Sequence, residues 1–351
     1  MEQVLADDAF LHSAAPFRRE LLVHCYRMLG SVHDAEDLVQ ETYLRAWRSY
    51  DGFEARSSIR TWLYRIATNV CLTALSGRAR RPLPTGLGGS PADPEDDPRR
   101  SADIPWLHPL PDVPVAVEWG DPASVVTQRH SLRLALVAAL QYLPPRQRAV
   151  LVLRDVLQWR AAEVAQLLGT TTTAVNSSLQ RARARIAEAA PAEESVLEPE
   201  DAEYRRLLDR YAAAFERKDV AAITRLLTAD AVWEMPPFAS WYRGPAAVGR
   251  HLAARCPGGP GDFRLLPAGA NGQPAFGVYL RDGGEYRPFL LQVLTPTRAG
   301  FSHVVSFLAP RLFVTFGLPP SLAGVSPATP PGEHVACTEG MMEGHGTLRG
   351  L

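Results

Sequence analysis

The stretch that decides the fold spans residues 160–185 and reads RAAEVAQLLGTTTTAVNSSLQRARAR. It contains an amphipathic helix pattern, a glycine and a second helix pattern, which is the order of a helix-turn-helix. Gly169 can adopt the positive φ that ends the first helix, and Thr171 or Thr172 can cap the second. Val175 and Leu179 lie four residues apart on the second helix and are expected to face inward.

The opposite side of that second helix carries polar and basic side chains that suit DNA. In this motif the first residues of the second helix meet base edges in the major groove, and later arginines hold phosphates. The segment from Arg129 to Arg185 contains nine arginines and two acidic residues. A hairpin with a solvated arginine face is the alternative, but the glycine and threonine positions favour DNA binding. The predicted contact residues are Thr171, Thr172, Thr173, Asn176, Ser177, Gln180, Arg181, Arg183 and Arg185.

A second signal is the acidic stretch DAEDLVQET at residues 34–42. On a helix, Asp34, Asp37 and Glu41 share one side at spacings of three and four, with Gln40 beside them. Clustered carboxylates are usually a solvated face, and a paired-carboxylate enzyme would need them in an enclosed pocket. An acidic, polar helix face is better suited to docking on a basic partner.

A third signal is TWLYRIATN at residues 61–69, followed by the basic group RARR at 78–81. Aromatic side chains beside arginines can stack on unpaired bases and hold the backbone of a single strand. The alternative is a core helix with a basic end, and Trp62 is expected in the core in either case. The candidate residues are Arg60, Trp62, Tyr64, Arg65, Asn69, Arg78, Arg80 and Arg81.

Composition separates these motifs into domains. Ten prolines lie between Pro82 and Pro122, a composition that cannot hold a helix or bury a core and is typical of a linker. The large aromatic side chains Trp106 and Trp119 indicate that parts of this linker pack against another surface. After residue 201 a helix precedes β-rich segments at 231–235, 263–266, 275–280, 289–294 and 301–307, which favours an α+β domain.

Charge, cysteines and hydropathy limit the other possibilities. The net charge of −1 gives no overall attraction to nucleic acid, although 36 of the 37 basic residues are arginine. The four cysteines show no CxxC pairing, so we expect reduced thiols and no metal or cofactor. The N-terminus lacks the order of a signal peptide and no apolar run approaches 18 residues, so a cytoplasmic protein without a membrane segment is expected.

The acidic helix, the aromatic and arginine-rich helix, the linker and the helix-turn-helix together resemble the sigma-70 family of RNA polymerase sigma factors, in its extracytoplasmic-function (ECF) type. The resemblance implies that Asp34, Asp37, Gln40 and Glu41 bind core polymerase at the β′ clamp helices. It implies that residues 51–69 open the −10 promoter element and hold flipped bases. It also implies that the helix-turn-helix reads the −35 element near the β flap.

Residues 201–316 resemble the SnoaL-like fold, through YAAAF at 211–215, LLTADAVWEMPP at 226–237 and WYRG at 241–244. Sigma factors with such an appended domain form the SigG- or SigJ-like subgroup, and the resemblance to related subgroups implies that the domain modulates the sigma factor in place of a separate anti-sigma protein. A small apolar ligand would be held by Trp233, Glu234, Trp241, Tyr242 and His303. In an isomerase, the catalytic residues would come from Glu234, Asp230, Tyr242 and His303. No catalysis is expected here. Asp230 is expected at a helix–strand turn, where its side chain would act as a cap.

The expected architecture is multidomain, with two all-α domains followed by an α+β cone. We name the first helical domain (10–80, sigma region 2), the linker (81–125), the second helical domain (126–190, sigma region 4) and the α+β domain (201–316); a disordered tail is expected at 318–351. The function expected is that of a sigma factor whose α+β domain regulates it. The alternative is a DNA-binding regulator fused to a small-molecule-binding or isomerase- or cyclase-like enzyme domain.

Overall fold

The computed structural model describes residues 10–53, 57–112, 131–189, 197 and 202–324. The first helical domain consists of α1 (Arg18–Leu29), α2 (Val32–Arg48) and α3 (Ile59–Leu75). The backbone turns at Gly30, whose φ is 69°, and Ser31 and Ser58 cap the next two helices with their hydroxyls. A serine cap satisfies an otherwise unpaired N–H of the first helical turn, so these positions fix where the helices begin.

The second helical domain contains the predicted helix-turn-helix. Its helices are α4 (Leu134–Leu140), α5 (Pro145–Leu151, continued by a π-helical turn at Val152–Val156), α6 (Ala161–Leu168) and α7 (Thr172–Ala189). Gly169 has a φ of 60° at the end of α6, and the Thr171 hydroxyl accepts from the N–H of Ala174 at 3.1 Å. Val175 and Leu179 are buried. The predicted turn, cap and inward face are confirmed.

The α+β domain has two leading helices, a third helix between its second and third strands, and one seven-stranded sheet. The helices are α8 (Ala202–Glu216), α9 (Val220–Arg225) and α10 (Gly244–Arg255). The strands are β1 (Leu227–Glu234), β2 (Trp241–Arg243), β3 (Phe263–Ala270), β4 (Gln273–Asp282), β5 (Glu285–Thr297), β6 (Gly300–Phe307) and β7 (Leu322–Ala323). Their order is β2-β1-β6-β5-β4-β3, with β7 on β5. Each of the five predicted β segments lies on a strand or extends one residue beyond it.

The two faces of this sheet belong to different cores, because successive side chains of a strand point to opposite faces. Leu294 and Val304 on one face pack with the helices of the α+β domain itself. Leu291, Val293 and Val305 on the other face belong to the core that also contains both helical domains. The α+β domain therefore forms one hydrophobic body with the helical domains.

The linker is packed against other parts of the chain mainly near the two ends of its described length, at residues 82–84 and 106–110. Leu83, Trp106, Leu107 and Leu110 are buried, so the expectation that this segment buries no core is wrong, while docking of Trp106 is as expected. Trp119 lies outside the described residues. Backbone hydrogen bonds to other parts of the chain, such as His108 N–H to the Gly30 carbonyl at 3.0 Å, satisfy polar groups that a helix would otherwise satisfy internally.

The end of the described chain also differs from expectation. A short helix, α11 (Leu312–Thr315), follows the sheet, and β7 pairs with β5 through Leu322 and Tyr286. Residues 318–324, expected in a disordered tail, are therefore ordered. None of the helices within the described ranges is long and apolar enough to cross a membrane.

Candidate functional site

The exposed side of α7 carries the residues predicted to meet DNA. Most of them are exposed, and Ser177 is half-buried. Arg183 differs from its neighbours because its guanidinium donates two hydrogen bonds to Asp155, at 2.6 and 2.8 Å. Such a bidentate pair fixes the direction of an arginine side chain. The structure thus brings the predicted set together on one open helix face. The exposed members are Thr171, Thr172, Thr173, Asn176, Gln180, Arg181, Arg183 and Arg185.

The acidic side of α2 is open except at its first carboxylate. Asp37 and Gln40 are exposed, and Glu41 pairs with Arg45 one turn later at 2.7 Å. Asp34 instead accepts from two arginines that follow α3, namely Arg81 at 2.7 Å and Arg78 at 3.1 Å. Asp34 therefore ties the end of the first helical domain to the start of the linker.

The aromatic centre of α3 is buried between α1 and the second helical domain. Tyr64 is 1% exposed, and its ring makes T-shaped contacts with His24 at 5.2 Å and with Trp159 at 5.9 Å between centroids. Its hydroxyl donates to Glu20 at 3.1 Å, and Arg60 binds the same carboxylate at 2.7 Å while lying over the Tyr64 ring. Burial, followed by the charge of Glu20, raises the pKa of the Tyr64 phenol.

The other predicted residues of α3 and its basic end have several environments. Trp62 is half-buried against Phe53, with ring centroids 4.9 Å apart, so it is a packing residue as expected. Arg65 is half-buried and Asn69 is exposed. The Arg80 guanidinium lies 4.8 Å from the ring centroid of Tyr142 in the second helical domain. Both Tyr64 and Arg80 thus contact aromatic residues of the second helical domain.

A buried asparagine of the α+β domain joins all parts of the chain. Asn271 stands in the turn between β3 and β4, has a φ of 60° and is fully buried. Its side-chain amide donates to the hydroxyl of Tyr26 on α1 at 2.8 Å and to the carbonyl of Leu132 at 2.7 Å. Its side-chain oxygen accepts from the N–H of Leu110 in the linker at 2.8 Å. One side chain thus contacts both helical domains and the linker.

Gln273 makes a second connection from the same turn. Its side-chain oxygen accepts from the N–H of Leu134 at the start of α4 at 2.7 Å, so the α+β domain caps a helix of the second helical domain. The sequence motifs did not predict a role for Asn271 or Gln273. Asn-Gly between two apolar runs predicts a hairpin turn, but no local pattern tells whether a hairpin tip is buried.

Two buried arginines bridge the helical domains directly. Arg148 on α5 donates to the Met28 carbonyl and to the side chain of Gln141, and Arg27 on α1 donates to Ser131 at 2.6 Å. Burial lowers the pKa of each guanidinium to about 10, so both remain charged at neutral pH. The burial of these two arginines could not be predicted from the local sequence, because an arginine on a helix is normally expected at the surface.

The five residues expected to line a ligand pocket do not share one. The register pairs Trp233 with Tyr242 and Glu234 with Trp241, and β1 runs parallel to β6, which carries His303. Trp233 and Tyr242 therefore lie on one face of the sheet, and the other three lie on the opposite face. The single-pocket prediction is wrong, because neighbouring strand residues alternate between faces.

Glu234 lies where the α+β domain meets the linker. Its carboxylate accepts from the Thr85 hydroxyl at 2.7 Å and lies 3.3 Å from Nε2 of His303. Asp230 lies within β1 and accepts from Thr228, while Asp219 caps α9, so the expected capping role of Asp230 is wrong. Asp219 was not predicted as a cap, although its position just before α9 is the usual one.

A small cavity of about 10 Å³ lies between the sheet and the helices of the α+β domain, and its lining includes Phe215, Ile223 and Leu252. A space of this size holds about one water molecule. Across the part of the chain that the structure describes, no group of three histidine, cysteine or carboxylate side chains could hold a metal ion.

Comparison with known proteins agrees with this division of the chain. Family models match for "Sigma-70 region 2" at residues 15–81, "Sigma-70, region 4" at 133–186 and "SnoaL-like domain" at 208–307. The ECF RNA polymerase sigma factor SigG of Mycobacterium tuberculosis is 56% identical over 309 residues, covering 88% of this chain and 83% of the relative. SigJ of the same species is 32% identical over 215 residues, covering 61% of this chain and 60% of SigJ.

The crystal structure of M. tuberculosis SigJ has the same fold. It superposes with a TM-score of 0.57 and 23% sequence identity, covering 87% of this chain and 98% of SigJ. The extent of the SigG match carries the family assignment, while the SigJ structure supports the arrangement of two helical parts and a mixed sheet. The chain belongs to the ECF RNA polymerase sigma factors and carries a SnoaL-like domain at its C-terminal side.

Proposed function

We propose that this chain binds core RNA polymerase, recognises the −35 and −10 promoter elements and starts transcription. The acidic side of α2 binds the polymerase through Asp37, Gln40 and Glu41, with Asp34 joining when its arginines are released. Nine residues around α7 read the −35 element, and α3 with its basic end captures the −10 element. The exposure of the α7 and α2 side chains supports these assignments.

The α+β domain regulates the sigma factor by holding its two helical domains together. The observation that carries this proposal is the Asn271 side chain, which contacts α1, the linker and Leu132, two residues before α4, in one buried cluster. A buried amide with its donors and acceptor paired costs free energy when the partners leave. We call the arrangement in which the two helical domains pack together the closed arrangement. The cluster therefore stabilises the closed arrangement relative to arrangements in which the helical domains are separated.

The closed arrangement cannot serve both promoter elements at once. The −10 and −35 elements are separated by ~25 base pairs, which is ~85 Å of duplex at ~3.4 Å per pair. In the closed chain Tyr64 and Trp159 are in contact, and the two helical domains share one core. The helical domains must therefore separate when the chain occupies a promoter.

The α+β domain acts by docking and not as an enzyme. The cavity of about 10 Å³ between its sheet and helices is too small for an organic substrate, since ligand pockets measure ~300–1,000 Å³. The carboxylate of Glu234, the candidate base, is hydrogen-bonded to the linker. The candidate base thus serves a contact within the chain.

In vitro transcription tests the proposed function. Purified chain and core polymerase are incubated with genomic fragments, and the transcript starts are mapped by sequencing. We expect a set of starts that share sequence near −10 and −35 and that disappear without the chain. Arg225→Ala, at an exposed position on α9, serves as the neutral control. A chain that never associates with polymerase lacking its own specificity subunit contradicts the proposal.

A further inference from the structure

The middle of the linker, although mostly exposed, pairs with one edge of the sheet in the α+β domain. β2 lies at the end of the strand order and pairs with β1 on one side. Residues 92–101, which we call the latch segment, run along β2 and the loop that precedes it. Three backbone hydrogen bonds of 2.8–3.0 Å join the two: Ala92 N–H to the Trp241 carbonyl, Ala239 N–H to the Arg99 carbonyl and Ser101 N–H to the Pro237 carbonyl. The latch segment thus satisfies polar groups that an edge strand otherwise leaves unpaired.

Side chains add little to this attachment. Arg255 on α10 binds the Asp97 carboxylate at 2.5 Å and the Glu95 carbonyl at 2.6 Å. The Asp97 side chain is 88% exposed, and an ion pair so open to water contributes little to stability. The attachment therefore depends mainly on the three backbone hydrogen bonds, and a segment held in this way can open without unfolding of the sheet.

A series of polar contacts connects the latch segment to the acidic side of α2. Ser101 donates to the Pro237 carbonyl, and its own carbonyl accepts from the indole of Trp106 at 3.0 Å. The carbonyl of Trp106 accepts from the guanidinium of Arg81 at 3.2 Å. Arg81 in turn binds the carboxylate of Asp34 on α2 at 2.7 Å. Four contacts thus lead from the edge of the sheet to the first carboxylate of the predicted polymerase-binding face.

We propose that the latch segment is a detachable edge strand of the α+β sheet and that Asp34 controls its attachment. In the free chain Asp34 fixes Arg81, because a charge-assisted hydrogen bond is about twice as strong as a neutral one. Arg81 then fixes Trp106, and Trp106 fixes Ser101. Core polymerase takes Asp34 away from Arg81, and the latch segment leaves β2. This inference rests on the proposed function and names the route by which polymerase binding reaches the α+β domain.

Thermodynamic linkage gives the proposal its measurable form. If polymerase binding detaches the latch segment, then a weakened latch strengthens polymerase binding by the same factor. Loss of one hydrogen bond in the series is expected to change the opening equilibrium roughly twofold to tenfold. Hydrogen exchange reports that equilibrium directly, because the N–H groups of Ala92 and Ala239 exchange when the latch segment opens.

The first test compares two carboxylates of α2 in the free full-length chain. Asp34→Asn removes the charge that holds Arg81, and Asp37→Asn makes the same change at an exposed position three residues later. Exchange at Ala92 and Ala239, followed by mass spectrometry, should be roughly twofold to tenfold faster in Asp34→Asn than in the parent. Exchange in Asp37→Asn should match the parent. If circular dichroism shows that Asp34→Asn does not fold, Arg81→Gln breaks the same contact from the other side.

The second test detaches the latch segment itself. Ser101→Pro removes the N–H that pairs with Pro237, whereas Ala102→Pro places the same ring at the next residue, in a turn that suits proline. We expect faster exchange at Ala239 in Ser101→Pro, together with a Kd for core polymerase that is tighter by a similar factor. Ala102→Pro should change neither quantity.

Addition of core polymerase to the parent chain completes the test and should speed exchange at Ala239. Unchanged or slower exchange at Ala239 in the polymerase complex overturns the inference. Equal exchange in the parent, Asp34→Asn and Arg81→Gln overturns it as well. A chain that does not bind core polymerase at all contradicts the proposed function, and the free-chain comparison of Asp34→Asn with Asp37→Asn still shows whether Asp34 controls the latch segment.

Discussion

The side-chain amide of Asn271, in a hairpin turn of the α+β domain, donates a hydrogen bond of 2.8 Å to the hydroxyl of Tyr26 on the first helix of the chain. These residues lie 245 positions apart, and the same phenol donates to the His108 carbonyl in the linker. Burial raises the pKa of Tyr26 above its usual value, so the phenol stays neutral and keeps its donor. The contact joins the beginning of the chain to its C-terminal domain.

Removing the Tyr26 hydroxyl is expected to weaken the closed arrangement. Tyr26→Phe keeps the buried ring but leaves the His108 carbonyl without this donor and one Asn271 donor without its acceptor. We expect a loss of about 1–3 kcal/mol, the usual cost of an unsatisfied buried group. Urea unfolding of the full chain measures it. Tyr43→Phe is the matched control, because that hydroxyl donates to Ala14 within the first helical domain.

The control separates loss of domain docking from loss of helix packing. Small-angle scattering should show a larger radius of gyration for Tyr26→Phe and an unchanged one for Tyr43→Phe. Equal radii in both variants would show that the Tyr26 contact does not hold the chain closed.

Acid should destabilise the first helical domain through His24. Burial, followed by the charge of Arg27, lowers the pKa of this imidazole to about 3, and its Nε2 lies 3.0 Å from the Thr68 hydroxyl. The unfolded chain binds a proton below pH ~6.5 and the folded chain does not, so stability falls as pH drops from about 6.5 toward 3. Between pH 7 and pH 5 the loss from this group is about 2 kcal/mol.

Urea unfolding at pH 7 and pH 5 measures that loss. His24→Gln retains a hydrogen-bonding side chain that does not titrate, so its loss between the two pH values should be smaller by about 2 kcal/mol. Burial lowers the pKa values of His108 and His251 to about 4. These two histidines therefore still contribute to the pH dependence of stability in the variant. The same pH dependence in parent and variant would show that His24 is not the group responsible.

Polymerase binding should depend on one side of α2. Asp37→Arg reverses a charge on the predicted docking face and is expected to weaken the affinity for core polymerase by tenfold or more, since truncating or opposing a charge pair at an interface costs ~2–5 kcal/mol. Glu36→Arg makes the same charge change at the adjacent exposed position, about 100° around the helix, and should have a much smaller effect. Fluorescence anisotropy of the labelled chain with core polymerase measures both.

Two substitutions on α7 should separate phosphate contact from base reading. Arg181→Ala should weaken binding of the −35 duplex and reduce the slope of log affinity against log salt by roughly 0.9, the value for one phosphate contact. Asn176→Ala should leave the slope unchanged and reduce discrimination between base pairs by ~1–3 kcal/mol. Titrations of holoenzyme with duplex at several salt concentrations provide both quantities, and equal slopes for the parent and Arg181→Ala would exclude that contact.

The helices and strands could be predicted because their signals are local. Gly169 ends a helix through its positive φ, and the β-rich runs follow the observed strands. The closed arrangement could not be predicted in this way, since it depends on contacts between distant residues such as Tyr26 and Asn271. The near-continuous apolar run from Phe289 to Leu294 was one available signal, because a strand buried on both faces loses its alternation.

The residues of the candidate surfaces could be predicted only where the residue type indicates that a side chain is exposed. Asn176 and Arg181 lie on an open face as expected, because polar residues opposite Val175 on an amphipathic helix point outward. The burial of Tyr64 between His24 and Trp159 follows from tertiary packing, and the separation of Glu234 from Tyr242 follows from strand alternation. Neither can be read from the composition of a single motif.

Energy transfer between the two helical domains tests the central claim most directly. Dyes are placed on Thr73→Cys and Gln166→Cys, at exposed positions on α3 and α6, with Cys256 and Cys337 replaced by serine. We predict efficient transfer in the free chain and a loss of transfer when core polymerase and promoter DNA are both added. Efficient transfer that persists on the promoter, or weak transfer in the free chain, would contradict a sigma factor held closed by its C-terminal domain.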